Sequence, residues 1–216
     1  MSRRVAIVDL ETTGLDPVAH ELWEAGLIFR ADDEHEREEH LFRVEPDLAK
    51  ADPGALRVNR YYERTRLMKH RDTLAHDIAR TPANRVAYWS HPAALAVHLA
   101  RLLDDVTLLC SVPTFDTAFL AAFLRAHGQA PTWNHRVRDF ASAAWGFLTG
   151  RPDAATPVIA IGLEPAPPLV PSLDAGTADF AMALGVDRTA YDLHTALGDC
   201  RLVDAGLDVI EGVKPR

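Results

Sequence analysis

A chain of 216 residues with 48% hydrophobic and 25% charged residues has the composition of an ordinary globular protein, long enough for one substantial domain and short for two. No apolar run approaches the ~20 residues of a bilayer span, and the two cysteines, Cys110 and Cys200, lie in apolar stretches that imply neither a disulfide framework nor a cysteine zinc site. The formal net charge of -8 excludes a general nucleic-acid coat protein, which needs a broad basic surface, but not a nuclease, whose carboxylates collect phosphate-attracting cations.

In chain order, residues 4–10 form the first predicted strand, which leaves no room for a signal peptide and sets the expectation of a cytoplasmic protein. The strand carries Asp9 and Glu11 at its end and stops at a Thr12-Thr13-Gly14 turn. Side chains two apart on a strand point the same way, so the two carboxylates share a face. Held side by side they repel, and hard oxygen ligands of this kind suit Mg²⁺ or Mn²⁺. Residues 21–29 and 40–44 are the second and third predicted strands, with 31–39 as an exposed hairpin connection.

Residues 47–80 are polar and predicted as helical in pieces. They contain the one locally basic stretch: Arg57, Arg60, Arg64, Arg66, Lys69 and Arg71, with Tyr61 and Tyr62 among them. Such a stretch suits tracking of a single strand by phosphate contacts and stacking. The plainer reading is a solvated helix with ordinary surface arginines. A helical pattern follows over 91–103 through Leu95, Leu99 and Leu102, and then a buried strand over 106–110.

Thr114 is the expected cap of a helix over 115–127, with Gly128 as its stop and an apolar stripe of Phe115, Ala118, Phe119, Ala122 and Phe123. A last short strand is predicted over 137–140, followed by a helix through Trp145. Six prolines between 150 and 171 preclude regular structure and predict a surface excursion inside one domain spanning 1–216. Residues 172–184 are predicted as a helix ending at Gly185. The final helix uses Ala196, Cys200, Val203, Leu207 and Ile210. Trp23, Trp89, Trp133 and Trp145 read as core or partly buried anchors. Strands first, then strands alternating with helices, give an α/β protein with a mixed sheet.

Two further acids invite a chemical reading. Asp116 falls in the first turn of the helix after the 106–110 strand. The macrodipole favours an acid there, yet sites of open α/β sheets also collect at strand carboxyl ends. His194 and Asp199 are five apart, about 140° around a helix, so they converge only if His194 lies in the loop before the helix and Asp199 one turn inside. Taken singly, each residue is explained by capping or surface charge.

Together, Asp9-x-Glu11-Thr12-Thr13-Gly14-Leu15, Phe115-Asp116-x-x-Phe119-Leu120 and His194-x-Ala196-x-x-Asp199 resemble the three exonuclease motifs of the DnaQ-like DEDDh 3′→5′ exonucleases. That group includes the proofreading epsilon subunit, RNase T and oligoribonuclease. The motifs occur in the family's order over nearly the whole chain. The resemblance implies an RNase H-like mixed five-stranded sheet flanked by helices. It implies two Mg²⁺ or Mn²⁺ ions held by Asp9, Glu11, Asp116 and Asp199, and His194 as general base. It further implies contacts of the terminal nucleotide with Leu10, Thr12, Thr13, Leu15 and Phe115.

Three positions bear on the match. Val112 stands where the family usually has Asn, and Cys200 where a small Ala is usual. Thr195 occupies the position that a tyrosine branch of the superfamily fills with Tyr, so the histidine branch is the better match. The activity so implied is stepwise hydrolysis from the 3′ end of single-stranded DNA, releasing nucleoside 5′-monophosphates, in proofreading or repair and with or without a polymerase partner. RNA is the alternative substrate, because the motifs do not read the sugar. A noncatalytic, polymerase-associated interaction module is the alternative from another class.

Overall fold

The computed structural model describes residues 4–30, 37–65, 79–81, 84–89, 91–151 and 170–213. The strands are β1 (Val5–Thr12), β2 (Leu22–Arg30), β3 (Arg37–Val44), β4 (Ala79–Thr81), β5 (Asn84–Trp89), β6 (Thr107–Cys110) and β7 (Arg138–Asp139). The helices are α1 (Pro53–Val58), α2 (Tyr61–Thr65), α3 (Pro92–Leu102), α4 (Pro113–Ala126), α5 (Phe140–Thr149), α6 (Thr177–Ala183) and α7 (Ala196–Glu211). The strands make one sheet in the order β4-β5-β3-β2-β1-β6-β7.

The five predicted strands lie side by side as β3-β2-β1-β6-β7, the expected mixed sheet. β1, β2 and β3 are a meander of antiparallel neighbours, whereas β6 runs parallel to β1 and β7 parallel to β6. The short β4–β5 hairpin, not predicted, extends the sheet beyond β3, with β5 parallel to it. Residues 37–39, expected in an exposed connection, belong to β3 and pair with 28–30 of β2. The rest of that connection, residues 66–78 of the basic stretch and 152–169 of the proline-rich excursion lie outside the described residues.

Strand alternation assigns β1 its two faces. Ala6, Val8 and Leu10 join the core formed with Leu95 and Leu99 of α3 and Phe119, Leu120 and Leu124 of α4. Ile7 enters the opposite core, with Phe140 and Ala144 of α5, Phe180 of α6, and Cys200, Val203 and Leu207 of α7. Burying each large aliphatic or aromatic side chain of these stripes contributes about 1.5–3 kcal/mol. Asp9 and Glu11 continue the Ile7 row, so the fold turns them towards the α7 side. A third, small cluster of Trp23, Leu56 and Tyr61 fastens α1 and α2 to the end of β2, with the Trp23 and Tyr61 rings edge to face at 5.0 Å.

Helix ends differ from the sequence expectation at two places. α4 begins two residues early because Pro113 sits in its first turn, where a missing N–H costs nothing. Its N-cap is therefore Val112, which makes no side-chain cap, and Thr114 lies inside the helix. α6 is shorter than the predicted 172–184, because Ser172 turns back on Asp174 (2.6 Å) and the helix starts only after Gly176. Gly128 and Gly185 do adopt left-handed backbone at the expected stops, with φ of 73° and 87°. Among the described residues, no helix is long and apolar enough to cross a membrane.

Candidate active site

The pairing of β1 with β6 ends at Val8 and Cys110, one residue before Asp9. Past that point β1 continues beside β2 alone, with Asp9 opposite Gly26 and Glu11 opposite Glu24. β6 meanwhile turns through Val112 into α4, whose first turn carries Asp116. The acids thus gather where two parallel strands end and their connection departs.

Gly26 explains how α7 reaches them. A Cβ there would stand 2.5 Å from the backbone carbonyl of Ala196, so the start of α7 rests directly on β2 beside Asp9. Cys200 lies one turn further in, wholly buried, with its thiol 3.3 Å from the Gly26 carbonyl and 3.8 Å from that of Ile7. The larger residue in place of Ala is thereby absorbed as a sulfur–backbone contact.

Thr195 caps α7 by accepting from the Gly198 N–H, and His194 precedes the cap with a left-handed φ of 58°. The expected arrangement of loop histidine and helical aspartate is therefore present. The His194 backbone N–H donates to Asp199 Oδ2 at 2.9 Å, and the His194 side chain is exposed.

Asp9, Glu11 and Asp199 each offer a carboxylate oxygen within 4.8 Å of the others, all three half-buried. Asp116 is not in that group. It is buried at 3% exposure, yet lies near enough for its charge to act on Asp9. Burial, then the charges of Asp116, Asp199, Glu11 and Glu24, hold the Asp9 carboxyl well above the usual carboxylate range. Burial followed by the charge of Glu24 pushes Glu11 up to about 8, with Arg64 opposing. Burial likewise raises Asp116 to about 7 against the pull of the Val112, Asp116 and Leu10 backbone. Burial also raises Asp199, opposed first by the charge of His194. Three carboxyls with hard oxygens in mutual reach, and Asp116 buried beside them, all resist ionisation and form a donor set suited to a divalent cation.

The expected nucleotide contacts divide into two groups. Leu15 is 79% exposed on the loop after β1, and Phe115 is partly exposed with its ring 4.7 Å from that of Phe119. Leu10, Thr12 and Thr13 are buried. The Leu10 side chain packs in the α3–α4 core, so of the expected backbone and side-chain contacts it is the backbone that faces the site. The same holds for Thr13, whose hydroxyl accepts from the Glu21 N–H at 2.8 Å, and for Thr12, whose hydroxyl donates to the Gly14 carbonyl at 2.6 Å. These two hydroxyls shape the turn, leaving backbone as what this segment presents. Val112, in place of Asn, is 53% exposed at the head of α4.

Sequence reading missed Glu24, which is 1% exposed and ion-paired with both Arg43 and Arg64. An acid set between Trp23 and Ala25 in a strand buried on both faces was the available signal. Sequence reading also took Arg60 and Arg64 for surface or strand-tracking residues. Arg60 does lie at the surface, bonded to Asp192 at 2.6 Å, whereas Arg64 is largely buried and reaches the carbonyls of Asn59 (3.1 Å) and His194 (3.3 Å).

No protein-family model matches the chain, and no curated protein matches it. Solved structures do. The zinc-bound form of E. coli exonuclease I with single-stranded DNA superposes with a TM-score of 0.63 at 20% identity, over 100% of this chain and 42% of that one. A second exonuclease I structure, described in terms of how processivity is achieved, gives 0.63 at 19% identity over 100% and 42%. A product-bound form gives 0.61 at 20% identity over 98% and 44%. The chain thus spans well under half the length of exonuclease I. With the acids gathered at the end of β1, the chain has the RNase H-like α/β fold of exonuclease I, the fold implied by its resemblance to the DnaQ-like exonucleases.

Proposed function

We propose that this protein is a metal-dependent 3′→5′ exonuclease that hydrolyses single-stranded DNA to nucleoside 5′-monophosphates. The observation that carries the reading is the convergence of Asp9, Glu11 and Asp199 within 4.8 Å, with Asp116 adding charge beside Asp9. The fold likeness to exonuclease I, solved with zinc and single-stranded DNA, supports the choice of substrate. The chain is read as one exonuclease domain acting on 3′ ends. It requires neither a polymerase partner nor a proofreading setting, and a cytoplasmic location accords with two free, buried cysteines.

In this reading Asp9, Glu11, Asp116 and Asp199 would hold two Mg²⁺ or Mn²⁺ ions. Such ions supply positive charge to the attacking and leaving oxygens of an in-line phosphoryl displacement. His194, exposed at the mouth and anchored through its own backbone, takes the proton of the attacking water on its imidazole nitrogen. Leu15 and Phe115 offer apolar surface to the terminal nucleotide, while the Leu10–Thr13 backbone lines its path. The desolvated surroundings of Asp9 and Asp116 would strengthen the pull of bound cations on the phosphate.

The test is a 5′-labelled DNA oligonucleotide incubated with Mg²⁺ or Mn²⁺, beside an RNA of the same sequence. The expected result is a ladder of single-nucleotide steps on DNA, absent with Asp9→Ala and with chelator. Faster shortening of RNA would reassign the substrate. No shortening of either strand, or equal shortening by Asp9→Ala, would favour the noncatalytic module.

A further inference from the structure

The loop that presents His194 is held from outside the acidic cluster by two largely buried residues, Arg64 and Glu24. Arg64, in the short α2 helix, has a side chain only 11% exposed, its guanidinium carbon 4.9 Å from the centre of the Trp23 ring. One terminal nitrogen donates to the carbonyls of Asn59 (3.1 Å) and His194 (3.3 Å). The other pairs with Glu24 Oε1. That same Glu24 oxygen accepts from the Ala196 N–H at 3.1 Å, two residues beyond His194. Glu24 Oε2 is occupied by Arg43, its cross-strand neighbour.

The outcome is a clamp on both sides of one residue. Arg64 holds the carbonyl of His194, and Glu24 holds the N–H of Ala196. The left-handed φ of 58° at His194 needs such support, because a residue with a Cβ adopts it at a cost. Arg60 adds an outer tie, from the same polypeptide segment to Asp192. Trp23, wholly buried, fixes the base of the clamp.

We propose that Arg64, oriented by the buried Glu24, is a positioning residue for His194: it sets where the imidazole stands over the acidic cluster without touching the substrate. This rests on the exonuclease reading with His194 as base. Arg64 reaches His194 through a backbone carbonyl, so that part of its contribution belongs to the step in which His194 accepts a proton, while its charge acts separately on Glu11. A guanidinium is suited to the task because its fixed fork spans a carboxylate and two carbonyls at once, which an ammonium does not.

A double-mutant cycle tests this, with single-turnover rate and KM measured for wild type, Arg64→Met, His194→Ala and the double variant. Displacing a proton acceptor by about 1 Å costs about 100-fold, so Arg64→Met is expected to lower the rate by that order with KM changed less than about twofold. In the His194→Ala background the fall should be much smaller, leaving only what the Arg64 charge does to Glu11, a part that Arg64→Lys restores. Arg64→Lys, which keeps a cation for Glu24, serves if Arg64→Met does not fold and should recover only part of the rate. An equal fall in both backgrounds would overturn the proposal, as would a KM effect with unchanged rate. Hydrogen exchange gives a reading that needs no activity: Arg64→Met should speed exchange at the amides of 194–199 while the β1–β2 amides stay protected. If wild-type protein proves inactive, the exonuclease reading falls, and unchanged exchange in the variant would remove the clamp as well.

Discussion

Helix α7 carries two clusters of acids that meet opposite fates. Towards its C-terminal end, Asp204 and Asp208 are bound by Arg30 and Arg37, and Glu211 by Arg30. Burial alone would pull the Arg30 guanidinium down, but Asp204, Glu211 and Asp208 more than offset it. At the other end, Asp199 meets Asp9 and Glu11, and among the described residues no arginine or lysine pairs with any of the three. The Arg64 guanidinium, whose charge acts on Glu11, is already engaged by Glu24. One cluster is neutralised by the chain and ties the helix to β2 and β3. The other keeps its repulsion, which is what a protein does where the neutralising charge is to come from outside.

That contrast breaks most sharply under paired substitutions. Asp9→Asn should reduce exonuclease activity by at least about 1,000-fold, as loss of one member of a concerted group does, and should raise the melting temperature of metal-free protein. Asp208→Asn should do the reverse. It leaves Arg30 and Arg37 short of a partner in a largely buried pair, costing about 3 kcal/mol, with turnover close to wild type. Thermal denaturation alongside the oligonucleotide assay measures both. Similar profiles for the two variants would erase the distinction between the clusters.

A pH series sharpens it further. The folded state holds Glu11 up to about 8 from 4.5 and Asp116 up to about 7 from 3.8, so between those limits it binds more protons than the unfolded chain. Stability then falls as pH rises. Metal-free protein should melt at a higher temperature near pH 5 than near pH 8, roughly the window those shifts define. Saturating Mn²⁺ should stabilise most at the alkaline end, since the ionised carboxylates are its ligands. A melting temperature independent of pH without metal would mean that the repulsion is not there.

The smallest expected effect concerns the head of α4. Val112→Asn supplies the side-chain cap that this helix lacks and should add about 0.5–1 kcal/mol of stability. Denaturant unfolding can resolve the change. No gain would mean that the surrounding loop keeps the new side chain from the free N–H groups of the first turn.

The acids were legible in the sequence because their geometry follows from local rules. A two-residue step on a strand aligned Asp9 with Glu11, and a helix boundary at Thr195 let His194 and Asp199 meet. Five strands were legible from apolar runs. The β5 strand was not, because its hairpin partner β4 is only three residues long and its other neighbour, β3, is a parallel strand far away in sequence. Glu24 and Arg64 were hidden for a related reason. Their partnership joins positions 40 apart, and a charge inside a strand or a basic helix reads as solvent-facing until its partner is known. Val112 misled in the opposite sense: Thr114 looked like the cap only because Pro113 had not been given its place in the first turn.

Gly26 bears on how freely this protein can vary. Its hydrogen is the only thing between the β2 backbone and the start of α7, so the gap across which Asp9 faces Asp199 is set by an atom that is missing. Any side chain there, even a methyl, must tilt the helix or bend the strand, and either motion opens the acidic mouth. The position is therefore a spacer whose width cannot drift. Variation along the outer part of α7 alters how firmly the helix is held, whereas variation at Gly26 of β2 alters the size of the hole that helix and strand bound together.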